Sequence, residues 1–257
     1  MNLGTLSYPR KLVSAPGFRL IRGFEDVVDS RDIHRFHACR FNKNERTPAL
    51  DRLAPADFNE SATATLSNGS LRVAITPQSL SSKKISGIAQ RVIGDFDVLL
   101  EVSCETSPAF AANGIYAEFG AWVYETGPAK FHGGAIYMGT PGNPSSDKLY
   151  ESSGTYATGD LTVTSSVATA HPTLIRTTPV VFRLKRYQGV VRAYYALDGG
   201  ASFNNVSTSL RALQTSYTDD NVIVVGGYCR ASSTTGVRFD TLLHGVKWLD
   251  PRTPHMD

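Results

Sequence analysis

Cysteine is scarce in this sequence. Its three residues, Cys39, Cys104 and Cys229, lie far apart and are odd in number. They form neither the close pairs of a zinc site nor an even disulfide framework, so buried free thiols are expected. Charge is also sparse and nearly balanced: 26 basic against 23 acidic residues leave a net charge of +3. That is too mild for the dense basic stripe of a nucleic-acid binder, and the longest basic cluster is Lys83-Lys84. No apolar run approaches the roughly 18–20 residues of a membrane-crossing helix. The first residues, "MNLGTLSYPRKLVSAPGF", lack the continuous apolar stretch of a signal peptide. The expectation is a soluble protein made in a reducing compartment, with the sequons at Asn59, Asn68 and Asn205 unused. Helical pattern is rare. One candidate, "GFEDVVDSRDIHRF", sets Phe24, Val27 and Val28 at helical spacing.

Strands are plentiful. In "RLKRYQGVVRAYYALDGGASFNNV", residues 183–206, Phe182 and Leu184 share one face while Arg183 and Lys185 share the other. After Gln188-Gly189, the residues Val191, Ala193, Tyr195 and Leu197 line one face of a return strand. A period of two predicts a half-buried hairpin, because successive side chains point to opposite sides. Gly189 supplies a tight turn and Asp198-Gly199-Gly200 the next one. Arg183 and Lys185 are expected on the exposed face, with no catalytic role.

From about residue 69, "SLRVAI", "GIAQRVI", "FDVLLEVSCE", "GIYAEFGAWVYE", "GGAIYMG", "GDLTVTSSV", "NVIVVGGYCR" and "VRFDTLLHGVKWL" repeat the strand pattern. Short strands rich in Val, Ile, Tyr and Phe, with no alternating helices, predict an antiparallel sandwich rather than a parallel α/β fold. The predicted organisation is an N-terminal arm over 1–55, a β-sandwich over 56–250 and a tail over 251–257. Residues 139–180, loaded with Gly, Pro, Ser and Thr, are predicted as long loops in which only "LTVTSSV" is a strand.

The segments "GSLRVAI", "GIAQRVIGDFDVLLEVS", "VVFRLKRYQGVVRAYYALDGGASFNNV" and "VRFDTLLHGVKW" resemble the concanavalin A-like (laminin G-like) jelly-roll superfamily over residues 57–249. The resemblance implies an all-β, antiparallel two-sheet jelly-roll sandwich. Lectins, adhesive domains, glycoside hydrolases and structural modules of bacteriophage particles share that fold, so it leaves the function open.

Jelly-roll hydrolases of that superfamily place two carboxylates two or four residues apart on one strand, where both face the cleft. Glu118 and Glu125 are seven apart, which puts them on opposite faces of an unbroken strand. Asp95 and Asp97 have the spacing but flank the start of "FDVLLEV", and Glu101 extends their parity. His34 and His37 could share a helix face without a third metal ligand nearby, and Asp219 to Asn221 reads as a turn rather than a calcium loop. No nucleophile elbow or phosphate-binding glycine loop occurs. A softer signal is aromatic: Tyr116, Trp122, Tyr124, Tyr137 and Tyr150. Tyr116, Glu118, Trp122 and Tyr124 share one parity and form a candidate glycan platform, since rings stack on sugar faces while their polar tips bond hydroxyls. The competing reading makes that face part of the sandwich core.

The expectation drawn from the resemblance is a non-catalytic structural protein of a bacteriophage virion, capsid-decorating or tail-associated. It would contact other virion proteins and possess a homo-oligomeric form, with a host-surface glycan as a further partner. No catalytic residue, metal, cofactor, nucleic acid or membrane is assigned. The alternative is a glycoside hydrolase or a free glycan-binding lectin.

Overall fold

A computed structural model describes residues 37–38, 63–67, 70–75, 77, 86–125, 130–138, 147–157, 160–170, 178–205, 216–249 and 251–252. It is a jelly-roll sandwich of two seven-stranded antiparallel sheets. The first sheet runs β12 (Asn204–Asn205), β11 (Val190–Ala196), β10 (Val180–Tyr187), β5 (Phe96–Thr106), β14 (Phe239–Trp248), β3 (Ser70–Ile75) and β2 (Thr63–Ser67). The second runs β1 (His37–Ala38), β4 (Ser86–Ile93), β13 (Asp220–Ala231), β6 (Gly114–Glu125), β7 (Lys130–Met138), β8 (Lys148–Ala157) and β9 (Asp160–Ala170). One short helix, α1 (Pro108–Asn113), joins β5 to β6 where the chain crosses between sheets. No helix among the described residues is long and apolar enough to cross a membrane.

Alternation decides what fills the space between the sheets. From the first sheet come Val98, Leu100, Val102 and Cys104 of β5, with Phe182 and Leu184 of β10. From the second come Ala117, Phe119, Ala121 and Val123 of β6, with Ile223, Val225 and Cys229 of β13. Each fully buried Val, Leu or Phe contributes about 1.5–3 kcal/mol relative to exposure, so this layer is the main source of stability. The cysteines Cys104 and Cys229 are buried free thiols, and burial pushes the Cys229 thiol up to about 12. Cys39 lies outside the described residues.

The hairpin forms as its alternation predicts. Phe182 pairs with Tyr195 and Leu184 with Ala193, and Tyr187 with Val190 closes the loop. Gln188 and Gly189 both hold positive φ, 50° and 75°, the two-residue turn whose twist suits a hairpin. Gln188 N–H donates to Asp95 Oδ1 at 3.0 Å, and Tyr217 N–H donates to the Gly189 carbonyl at 2.8 Å. The exposure expected for Arg183 and Lys185 is corrected. Both lie on the outward side of the first sheet yet are buried, Lys185 completely, because Asp97 on β5 accepts hydrogen bonds from both.

A second correction concerns residues 139–180. The expected strand "LTVTSSV" forms within β9, paired with β8 along Asp160–Ala170, but β8 crosses the stretch too, paired with β7 along Lys148–Thr155. The segment "KLYESSGTYA" has little β-branched apolar content, so its own propensity is weak. Neighbouring strands on both sides supply the ladder that propensity does not. The candidate helix "GFEDVVDSRDIHRF" and His34 lie outside the described residues, while His37 sits in a strand paired to β4 rather than on a helix face.

Candidate functional site

The register of β6 turns its even-numbered residues away from the core. Tyr116, Glu118, Gly120, Trp122 and Tyr124 therefore share the outer face, and Glu125, of opposite parity, points inward. The space between the sheets takes the odd-numbered side chains, while Glu118, Trp122 and Tyr124 are buried on the other side of the sheet. The four candidate residues do stand together on one surface. Neighbouring strands extend it in rows: Tyr228, Glu118, Tyr137 and Lys148 form one, and Gly226, Gly120, Ala135 and Tyr150 the next. The second row has almost no side chains before Tyr150, so it makes a low floor beside the acid.

Glu118 is the chemical centre of this face. Its Oε1 accepts from the Tyr228 hydroxyl at 2.7 Å, and its side chain is 2% exposed. Burial, reinforced by the Glu118 charge, holds the phenols of Tyr228 and Tyr137 above the usual tyrosine range. Both phenols therefore stay protonated and able to donate at neutral pH. The rings pack in a chain: Tyr116 on Tyr137 at 5.7 Å, Tyr137 on Tyr150 at 6.1 Å, and Tyr116 edge-on to Tyr228 at 5.8 Å. The Arg230 guanidinium lies 4.8 Å from the Tyr116 ring centre, a cation–π contact, and also bonds the Tyr116 hydroxyl.

Accessibility divides the face in two. Trp122 and Tyr124 are buried, with Tyr124 stacked on Phe131 at 5.8 Å. Gly133 makes room for Trp122, since a Cβ there would stand 2.6 Å from the indole Cδ1. Tyr116, Tyr137 and Tyr150 are half-buried. The approachable part is thus the Tyr116–Tyr137–Tyr150 strip with Glu118 beneath it, rather than the Trp122 end. Arg230 and Tyr228 escaped the sequence reading, although their parity on "NVIVVGGYCR" was legible once Ile223 and Val225 were placed in the core.

Other acids serve other ends. His132 Nε2 lies 2.7 Å from Glu151 Oε1 with both side chains fully buried, and Glu125 accepts from Thr218 N–H at 2.6 Å. All three share the inter-sheet side of the second sheet. On the first sheet's outer side, Asp97 is claimed by Arg183 and Lys185. His244 bridges Ser70 and Ser103, each at 2.7 Å. Asp95 and Asp219 both pair with Arg186. No cluster of three or more His, Cys, Asp or Glu suited to a metal occurs among the described residues.

No protein-family model matches the chain, and no curated protein sequence does. Solved structures do resemble its fold. A functionally unknown protein from Saccharomyces cerevisiae shares 9% identity at TM-score 0.48, over 74% of this chain and 93% of that one. Xylan β-1,4-xylosidase from Bacillus halodurans C-125 shares 14% at TM-score 0.48, over 76% of this chain and 35% of its own length. This chain thus spans about a third of that xylosidase. The catalytic domain of an endo-1,3-β-glucanase (laminarinase) from Thermotoga petrophila RKU-1 shares 11% at TM-score 0.47, over 74% and 81%. Two of these neighbours carry the names of glycan-cleaving enzymes, against the expectation of a non-enzyme, which is not carried further. At such identities the likeness describes the fold alone. None of the three is described as a bacteriophage protein.

Proposed function

We propose that the chain is a carbohydrate-active jelly roll of the concanavalin A-like kind that takes a glycan on the outer face of its second sheet. The observation that carries this reading is Glu118, an outward-facing carboxylate fixed by the Tyr228 hydroxyl beside half-buried rings and a glycine–alanine floor. Aromatic faces pack against the apolar face of a sugar, and a fixed carboxylate accepts from its hydroxyls. Hydrolysis by a paired mechanism requires a second carboxyl about 5–10 Å away. On β6 the positions two and four residues beyond Glu118 hold Gly120 and Trp122, so that partner does not come from this strand.

The test is a glycan array read together with release of reducing ends. The full chain is expected to retain oligosaccharides, and Glu118→Gln and Tyr137→Ala each to weaken retention about tenfold, the loss of one charge-assisted or stacked contact. Release of reducing ends that disappears in Glu118→Gln marks a hydrolase, and retention without release marks a lectin. Retention that is absent, or unchanged in both variants, overturns the reading.

A further inference from the structure

We propose that Asp240 is a proton-operated latch on Arg238. Charged, it ties the guanidinium to the first sheet; protonated, it releases it toward Glu105 and solvent. The latch is independent of the glycan reading. Asp240 on β14 and Glu105 on β5 stand directly opposite each other in the ladder. Their chain neighbours Phe239 and Cys104 lie in the inter-sheet core, so both acids face outward. Like charges directly opposite on one face of a sheet oppose each other. Two guanidiniums lie against the pair. Arg72 on β3 bonds Glu105 through Nη2 and keeps Nη1 3.7 Å from Asp240 Oδ2. Arg238, just before β14, sets Nε 3.3 Å from Asp240 Oδ2 and Nη2 3.8 Å from Glu105 Oε2.

The two acids are unequally served. The Glu105 side chain is 40% exposed and takes the closest guanidinium contact. The Asp240 side chain is 2% exposed and has only the longer contacts, and its Oδ1 has no hydrogen-bond partner among the described residues. A buried carboxylate with an unserved oxygen is costly in its charged form, so Asp240 is the acid that gains from a proton. Burial is the main cause holding its carboxyl above the ordinary value; Arg238 and Arg72 offset part of that, and Glu105 adds to it. The next titratable group along this face, His244, is engaged with Ser70 and Ser103. Arg72 keeps Glu105 whichever state Asp240 adopts. Arg238 is the group that moves, because its side chain is 56% exposed and its nearer contact is the one the proton removes. Its backbone stays fixed: Arg238 N–H donates to Ser107 Oγ and Ser107 N–H to the Arg238 carbonyl, both at 2.9 Å.

The full chain should be followed by NMR from about pH 3 to pH 8, a range that spans the ordinary carboxyl values. The Asp240 carboxyl is expected to titrate above the ordinary aspartate value. The Arg238 Nε–H signal should shift and exchange faster with the same midpoint, and Glu105→Gln should lower that midpoint by removing the facing charge. Because the folded value lies above the unfolded one, this group's stabilisation is complete below the ordinary value and is lost as pH rises through the folded one. Asp240→Asn should therefore resist denaturant better than wild type at neutral pH, with the gap closing in acid, and should show released Arg238 at every pH. A carboxyl that titrates at or below the ordinary value overturns the latch, and so does an Arg238 signal that ignores the titration. An Asn variant weaker than wild type by the same margin at every pH gives the carboxylate a purely structural role and overturns it too.

Discussion

The two sheets turn contrasting chemistry outward. The first sheet's outer side is ionic, with Asp97 bidentate to Arg183 at 2.6 and 2.8 Å, Lys185 on the same carboxylate at 2.9 Å, and His244 bridged between two serines. Phe203 and Leu249 pack beside it against Leu99, Val181 and Ala196. The second sheet's outer side has Glu118, a chain of rings and a row of glycine and alanine beside them. Both carry buried charge, but they satisfy it differently. The ionic side matches each charge within the protein, which suits a structural role. The aromatic side sets half-buried rings around a single carboxylate held by a tyrosine hydroxyl. A buried carboxylate is therefore a poor guide to function until its partners are known.

The sharpest way to break this comparison is Asp97→Ala. Removing the shared carboxylate strands the fully buried Lys185 ammonium, and the loss of stability should be about 3–5 kcal/mol by chemical denaturation. A variant that replaces Asp97, Arg183 and Lys185 together with apolar residues should recover much of that loss, and a failure to recover would mean the ions do more than neutralise one another. On the aromatic side, Gly133→Ala should cost about 3 kcal/mol, because its Cβ would stand 2.4 Å from the Ala121 carbonyl oxygen and 2.6 Å from the indole Cδ1 of Trp122. Its indole fluorescence should shift too, and an unchanged spectrum with unchanged stability would show that Trp122 is not held against this glycine.

A third effect concerns the layer between the two faces. The folded Cys229 thiol is raised to about 12 from 9.0, so between those values the unfolded chain has lost a proton that the folded chain keeps. The stabilisation is complete below pH 9 and is lost as pH rises toward 12, so the denaturation midpoint should fall across that window. Cys229→Ala should fall less steeply, with the tyrosines Tyr217 and Tyr228, also raised by burial, accounting for what remains. The smallest effect belongs to the exposed turn after β11, where Asp198 accepts from Ser202 and Ala201. The Ser202 hydroxyl holds this carboxyl below its ordinary range, so its contribution is present above the unfolded value and fades as pH falls through the folded one. Asp198→Ala should lower the midpoint slightly at neutral pH and not at all in strong acid.

Much of the fold was legible before any coordinates. Phe182, Leu184, Val191 and Ala193 announced their face by alternation, and β6 was readable from end to end as "GIYAEFGAWVYE". The parity that separates Glu118 from Glu125 needed only an unbroken strand. Strand β8 was not legible, because its Ser and Gly residues carry little strand signal of their own and the ladder with β7 and β9 is a long-range fact.

What the sequence determined by itself was periodicity, and hence which side chains travel together: Tyr116 with Glu118, Trp122 and Tyr124, and Arg183 with Lys185. Tertiary structure alone decided which of the two sides became core, which charges met, and which rings stayed within reach of solvent. The physical reason is that alternation is a property of one strand. Burial and charge pairing are set by whatever strand lies alongside or opposite, as Asp97 lies beside Arg183 across 86 positions of chain.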